Sequence, residues 1–151
     1  PVFVAADLLS QAEHGPDSQV ILVTPVVDLP GLVEKELQKQ LKTLPRRDIV
    51  AKALSHSKSV VLKDIDTCME LVNEYAPEHL ILCVEDYQLR ASQVMNAGSV
   101  FLGNYSPESA GDYASGTNHT LPTNGYARAY SGVNMDAFMK KITFPFPLSV
   151  L

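Results

Sequence analysis

The sequence lacks any apolar run of the roughly 18 residues that a membrane-spanning helix needs, and it shows no secretory signal. Basic residues are also few, with 12 Lys and Arg against 17 Asp and Glu and a net charge of −5. Such a balance argues against a nucleic-acid-binding surface. We therefore expect a soluble protein without membrane or nucleic-acid partners, located in the cytoplasm, or in a plastid if a transit peptide has been removed.

Cysteine is scarce too. Cys68 and Cys83 lie in apolar patterns without the Cys-x-x-Cys spacing, which predicts buried thiols of a reducing compartment and neither a disulfide nor a cysteine-bound metal. The sequence contains no Gly-x-Gly-x-x-Gly after a strand, no Walker-type loop and no Gly-x-Ser-x-Gly. These familiar signals for nucleotide binding and nucleophilic catalysis are therefore absent.

What the chain does have is a globular composition, with 46% hydrophobic residues in 151 positions, enough for one respectable core. Short apolar runs alternate with segments of helical periodicity. The predicted strands are 18–24, 59–62, 79–84 and 99–102, and a further helix-to-strand pattern covers 136–144. Near-continuous apolar strands between helices indicate an α/β fold with a mostly parallel sheet flanked by helices, its strands buried on both faces.

Six of the eight glycines lie between Gly98 and Gly132, within a polar segment that runs to the end of that range. Long glycine-rich segments inside a compact domain are often functional, although a mobile surface loop is the alternative.

The pair Glu78-His79 follows Pro77, where a helical pattern stops and an apolar strand begins. Both side chains can take or give a proton near neutral pH, so the pair is a candidate for acid–base chemistry. Taken alone, an adjacent Glu-His pair at a helix end is usually no more than a solvated terminus.

A second group of residues suits a metal ion. Gln11 and His14 are three apart on the first predicted helix, so that both project from one face, and Asp112 in the glycine-rich segment can add a carboxylate oxygen. An amide oxygen, an imidazole nitrogen and a carboxylate suit zinc or manganese. Taken alone, a histidine near a helix C-terminus is more often a favourable partner of the helix dipole than a metal ligand. His119 is a further candidate base, and His56 is interpreted as structural or exposed.

Four segments in this order resemble histidinol dehydrogenase: LSQAEHGPDSQ (9–19), YAPEHL (75–80), NAGSVFLG (96–103) and GDYASGTNH (111–119). The similarity runs from about Val2 to Phe144. It implies an incomplete Rossmann-like fold, one half of an architecture like that of aldehyde dehydrogenase.

The resemblance also implies a reaction, in which L-histidinol is oxidised through the aldehyde to L-histidine with two NAD and a bound zinc. Gln11, His14 and Asp112 match zinc ligands, and these three with His79 match substrate-binding positions. Glu78 and His79 match the catalytic pair: His79 takes the alcohol proton and Glu78 activates water. His119 matches a further active-site histidine. Residues that contact NAD are not identified.

The sequence departs from the family in two respects. It holds neither the family's C-terminal histidine ligand, which is contributed across a homodimer, nor the upstream cofactor-binding region. We therefore expect residues 1–144 to be an α/β catalytic-domain fragment, inactive alone, and 145–151 to be an apolar tail outside the family pattern. The alternatives are a non-catalytic dimerising or regulatory module and a zinc hydrolase with Glu78 as its base.

One topological requirement follows. Glu78-His79 and Gln11-His14 precede strands, whereas Asp112 follows one, so 106–112 must return across the sheet for these residues to meet. We predict a short helix opening at Ser106-Pro107-Glu108 that brings Asp112 back to His14.

Overall fold

A computed structural model describes residues 1–145, except for the side chain of Asp112. The helices are α1 (Val2–Ala12), α2 (Leu29–Leu41), α3 (Arg47–Ser55), α4 (Ile65–Tyr75), α5 (Tyr87–Ala91) and α6 (Glu108–Tyr113). The strands are β1 (Ile21–Thr24), β2 (Lys58–Val61), β3 (His79–Leu82) and β4 (Ser99–Leu102). Between α6 and Pro145, the last residue described, the regular structure consists of two 3-10 turns, Tyr126–Arg128 and Met135–Phe138.

The α/β class and the parallel strand pairing are confirmed. The strands form two small sheets, β1 with β2 and β3 with β4, in place of the single sheet suggested by their alternation with helices. The sequence pattern identifies strands of this kind but does not specify which of them pair. The expected burial on both faces is wrong, because β1 is mostly half-buried and three of the four β2 residues are exposed.

The predicted strand within 136–144 is also wrong, since the chain from Met139 to Pro145 is irregular after the second 3-10 turn. The predicted apolar tail begins at Pro145, and its remaining residues, 146–151, lie outside the described part of the chain. No helix among residues 1–145 combines the length and hydropathy needed to cross a membrane.

Two hydrophobic cores organise the chain. The first joins α1, α2 and α3, because Ala5, Leu9 and Ala12 recur on one face of α1 and pack with buried residues of the other helices. The second core lies between α4 and the β3–β4 sheet, with Met69, Leu80 and Leu82 at its centre. Of the candidate residues, Gln11 belongs to α1 of the first core and His79 to β3 of the second.

Helix α4 precedes the Glu78-His79 pair, and particular residues define where this helix begins and ends. Asp64 begins the helix by accepting a hydrogen bond from the Thr67 backbone N–H at 2.8 Å, and this bond lowers the pKa of the Asp64 carboxyl. The helix ends at Ala76, which adopts a left-handed conformation with φ of 55°. This residue redirects the chain through Pro77 into β3.

The buried Asn73 ties α4 to the approach to β4. Its side-chain amide donates to the Gln93 carbonyl at 2.9 Å and accepts from the Met95 N–H at 2.7 Å. A side chain that satisfies buried backbone groups in this way fixes the path of an irregular segment. The start of β4 is thereby held against the chain that carries Glu78.

The remaining histidine and cysteine expectations have mixed outcomes. His56 is structural, as expected, since its Nε2 lies 2.9 Å from the Ser18 carbonyl oxygen. Cys68 is a buried free thiol, whereas the prediction for Cys83 is wrong: it is free but exposed, because β3 ends at Leu82.

Gly98 lies where backbone segments approach most closely. A Cβ at this position would lie 2.6 Å from the carbonyl oxygen of Glu78. We expect Gly98→Ala to lower the free energy of unfolding by about 1–3 kcal/mol, because the backbone beside Glu78 must shift. Urea unfolding of the purified chain measures this difference.

The matched control is Gly31→Ala in α2, where an added Cβ meets nothing within 4 Å. Alanine has the higher helix propensity, so this variant is expected to gain about 0.5–1 kcal/mol. Equal stability of the two variants would contradict the close approach at Gly98.

Candidate functional site

Helix α6 begins at Glu108, after Pro107 in an extended conformation, which confirms the helix predicted to open at 106–108. The helix packs against α1 of the first core. As a result, the segment that follows β4 does return to the amino-terminal end of β3. Among the described charged residues of this segment, Glu108 is the most deeply buried, with only 1% of its surface exposed.

The carboxylate of Glu108 lies between α1 and β3. Ser10 donates a hydrogen bond from Oγ to Glu108 Oε2 at 3.2 Å, and the other oxygen, Oε1, lies 3.9 Å from Nε2 of His79. Oε1 has no hydrogen-bond partner among the described residues. Because the His79 side chain is only 12% exposed, the carboxylate and imidazole interact with little screening by water.

The backbone of the Glu78-His79 pair is held by the start of β4. The Pro77 carbonyl accepts from the Gly98 N–H and the Glu78 carbonyl accepts from the Ser99 N–H, both at 2.9 Å. His79 therefore enters β3 in a fixed register, opposite Ser99.

A second contact fixes α6 at this site. Phe101 of β4 has its ring centroid 5.9 Å from that of His79. A Cβ at Gly111 would lie 2.8 Å from the same phenyl ring, so the absence of a side chain allows α6 to approach it. Glu108 and His79 are thus positioned by packing on both sides.

Gln11 and His14, which were predicted to lie on the same helix, are not both part of α1. Gln11 belongs to α1, but the helix ends at Ala12 and His14 lies beyond it, exposed, with its N–H donating to the Gln11 carbonyl at 3.3 Å. The expectation that His14 belongs to the first helix is wrong, because α1 ends at Ala12, and the approach of the Gln11 and His14 side chains stays a prediction.

His14 nevertheless lies beside α6. It contributes to an open depression of about 360 Å³, which is lined by Ser10, Glu13, His14, Arg46, Glu108, Ser109 and Tyr113. Ser10 and Glu108 are thus shared between this depression and the contact with His79. The depression is the candidate substrate site.

Asp112 belongs to α6 by its backbone, between Gly111 and Tyr113, but its side chain lies outside the described part of the structure. Its proposed meeting with His14 therefore stays a prediction. His119 is exposed in the irregular segment after α6, and it forms no hydrogen bond with another candidate in the described structure.

The predicted zinc site has one observation in its favour. The Nε2 atom of Gln11 is buried and has no hydrogen-bond partner among the side chains and backbone groups that the structure describes. Because amide nitrogen and oxygen are interchangeable by a flip, this end of Gln11 can offer an oxygen to a cation. The described side chains include no cluster of three or more His, Cys, Asp or Glu suited to a metal ion. The chemistry of Gln11 and His14 fits zinc, and the full ligand set stays a prediction.

Three residues of this site, Ser10, Glu108 and Asp7, were not predicted from the sequence. Glu108 carried a weak signal, a carboxylate in the first turn of a predicted helix, which is ordinarily a solvated partner of the helix dipole. Its burial depends on the packing of α6 against α1, which no local pattern encodes.

The pKa of the Asp7 carboxyl is affected by burial and by the charge of Glu108. Burial, and then the nearby charge of Glu108, raise the pKa of the Asp7 carboxyl above its ordinary value of 3.8. Ionised Asp7 therefore disfavours the folded state, and Asp7→Asn should raise the free energy of unfolding at pH 7. We expect a gain below about 1 kcal/mol, because the side chain is partly exposed to water.

The sign of this effect depends on pH. A group whose pKa is raised by folding costs no stability below its unfolded pKa, so the gain should vanish as the pH falls below 3.8. Asp64→Asn is the control with the opposite sign, since folding lowers the pKa of Asp64. Urea unfolding at several pH values measures both, and a gain for Asp7→Asn that grows toward acid would contradict the assignment.

A shielded carboxylate–imidazole pair beside an open depression, built on parallel strands and helices, is typical of an α/β enzyme that uses acid–base chemistry. The histidinol dehydrogenase family model matches residues 1–146. The chain therefore belongs to the histidinol dehydrogenase family.

Individual relatives support this membership. The chain is 64% identical over 144 residues to histidinol dehydrogenase of Bacteroides thetaiotaomicron, covering 95% of this chain and 34% of that protein. It is 57% identical over 145 residues to the chloroplastic histidinol dehydrogenase of Arabidopsis thaliana, with 95% and 31% covered. The crystal structure of histidinol dehydrogenase from Elizabethkingia anophelis superimposes with a TM-score of 0.93 at 59% identity, covering 95% of this chain and 33% of that one. The chain thus spans about a third of the length of these relatives.

Proposed function

We propose that this chain supplies the acid–base and metal-binding part of a histidinol dehydrogenase, which oxidises L-histidinol through the aldehyde to L-histidine. The observation that carries the proposal is the buried Glu108 carboxylate facing His79 beside the depression, in a chain so similar to enzymes of that name. In this function His79 accepts the hydroxyl proton of the alcohol while the carbon loses hydride. The imidazole that receives this proton lies 3.9 Å from the Glu108 carboxylate, and its side chain is only 12% exposed.

In the second half of the reaction Glu78 removes a proton from water as the water attacks the aldehyde carbon. The resulting hydrate loses a second hydride, for which NAD would be the acceptor, and the carboxylic acid so formed releases a proton to give the carboxylate product. Gln11, His14 and Asp112 would hold zinc, which supplies orientation of the substrate's nitrogen atoms, and NAD supplies the hydride acceptor. We also propose His119 as a further active-site histidine, on the resemblance to the family alone.

A hybrid enzyme tests this proposal. Residues 1–144 of this chain would replace the matching segment of the Bacteroides thetaiotaomicron enzyme, to which they are 64% identical. The hybrid is expected to reduce NAD when L-histidinol is added, whereas the isolated chain is expected to be inactive. A folded hybrid without activity would contradict the proposal.

Metal removal provides a separate prediction on the same hybrid. Chelation should abolish the activity and added zinc should restore it, since orientation of the substrate depends on the metal. His14→Ala should weaken zinc binding, measured by titration calorimetry, and His56→Ala is the matched control because His56 serves the fold. Zinc affinity unchanged by His14→Ala would exclude His14 as a ligand.

We also propose a homodimer and a cytoplasmic location. Many large apolar side chains are exposed in the last part of the described chain, among them Tyr130, Phe138 and Phe144. Exposed apolar surface of this kind favours association between copies. Light scattering of the hybrid should give twice the monomer mass, and a monomeric mass at high concentration would contradict it. Cell fractionation tests the location, and recovery in a plastid fraction would replace the cytoplasmic assignment.

A further inference from the structure

We propose that Glu108 is the positioning residue of His79: its buried carboxylate holds the imidazole with Nε2 toward α6 and stabilises it when it takes up a proton. This inference rests on the proposed function, because it assigns a role within the same reaction. It names a residue from a different part of the chain than the Glu78-His79 pair.

The first step of the argument is the cost of burying Glu108. Burying an ionised carboxylate costs free energy unless it is paired, and Glu108 has only 1% of its surface exposed. Among the described residues, its hydrogen-bond donor is the Ser10 hydroxyl. Ser10 satisfies Oε2, but Oε1 is left without a hydrogen bond in the described structure. Oε1 faces the imidazole of His79, whose Nε2 lies 3.9 Å away.

The second step is geometric. A carboxylate facing Nε2 favours the tautomer in which Nε2 carries the hydrogen, so Nδ1 is left as the proton acceptor. When Nδ1 takes the proton, the ring becomes a cation and its attraction to Glu108 increases in a region with little water. The carboxylate is assigned no proton transfer of its own and acts only by orienting the imidazole, as an orienting carboxylate does beside a catalytic histidine.

The third step is the rigidity of the arrangement. Ser10 fixes the carboxylate from α1, and Phe101 lies against both the His79 ring and Gly111 of α6. Neither member of the pair can turn away without disturbing this packing. The pair therefore has the rigid support that a proton-transfer site requires.

The kinetic test uses the hybrid enzyme and Glu108→Gln, which keeps the shape and the acceptor for Ser10 but removes the charge. We expect kcat to fall about 10- to 100-fold with little change in KM, because the loss concerns proton transfer rather than substrate binding. Glu70→Gln, an exposed carboxylate of α4, is the matched control and should leave kcat unchanged.

A double-mutant cycle separates positioning from a general structural role. In a His79→Asn background, Glu108→Gln should change the residual rate less than about twofold, since a residue that acts through His79 has nothing left to position. Equal losses in both backgrounds would overturn the inference. If Glu108→Gln fails to fold, Ser10→Ala takes its place in the same cycle, with a smaller loss that also requires His79.

A spectroscopic readout does not depend on activity. Long-range ¹H–¹⁵N spectra of the 151-residue chain, assigned with His79→Asn, should show the Nε2–H tautomer of His79. Glu108→Gln should weaken that preference, and an Nδ1–H tautomer in the unsubstituted chain would overturn the inference. An inactive parental hybrid would instead count against the proposed function, so the two failures are distinguishable.

Discussion

Replacing His79 by asparagine in the hybrid enzyme is expected to lower kcat for histidinol oxidation by about 10² to 10⁴-fold, the range that a positioned acid–base group contributes. The reason is local: His79 is the imidazole that the fold shields and places against Glu108. Asparagine occupies a similar volume but cannot accept the alcohol proton at neutral pH. Steady-state NADH formation at saturating histidinol measures the change.

His56→Asn is the matched control for this prediction. His56 is also partly buried, but its Nε2 bonds the Ser18 carbonyl, so its loss should lower stability and leave the rate of the folded enzyme intact. A His79→Asn hybrid within about threefold of the parent rate would exclude His79 from proton transfer.

The largest effect on stability is expected for Leu9→Ala. Leu9 is 3% exposed and lies in the first core, one residue before Ser10. Truncating a fully buried leucine leaves a cavity as well as lost apolar burial, and it costs about 2–5 kcal/mol. Because small domains are stabilised by only about 5–15 kcal/mol, this variant should unfold at much lower urea concentration than the parent chain.

Leu32→Ala in α2 provides the comparison, since Leu32 is 47% exposed. Its free energy of unfolding should change by less than about 0.5 kcal/mol. Similar losses for the two leucine variants would contradict the assignment of Leu9 to a packed core.

Local structure was largely predictable from the sequence. The strand at 99–102 has the bounds expected from its apolar run, and α4 begins after Asp64, whose side chain caps it. These features depend on neighbouring residues, and so a sequence pattern records them. The pairing of strands into two sheets depends on contacts between distant segments, and the pattern does not record it.

The same distinction holds for the candidate site. Glu78-His79 was found because the two residues are adjacent at an element boundary, where a short motif is visible. Glu108 was missed as His79's partner because its hydrogen bond to Ser10 spans 98 positions and its burial follows from α6 packing on α1. The helix beginning at Glu108 could be predicted, whereas the direction of its first carboxylate could not.

The most direct measurement of the central claim is the amount of NADH formed per L-histidinol by the hybrid that carries residues 1–144 of this chain. Oxidation of an alcohol to a carboxylate releases two hydrides, so the account predicts two NADH for each histidinol consumed, with L-histidine as the product. A hybrid that folds as stably as its parent but forms no NADH from histidinol would contradict the account.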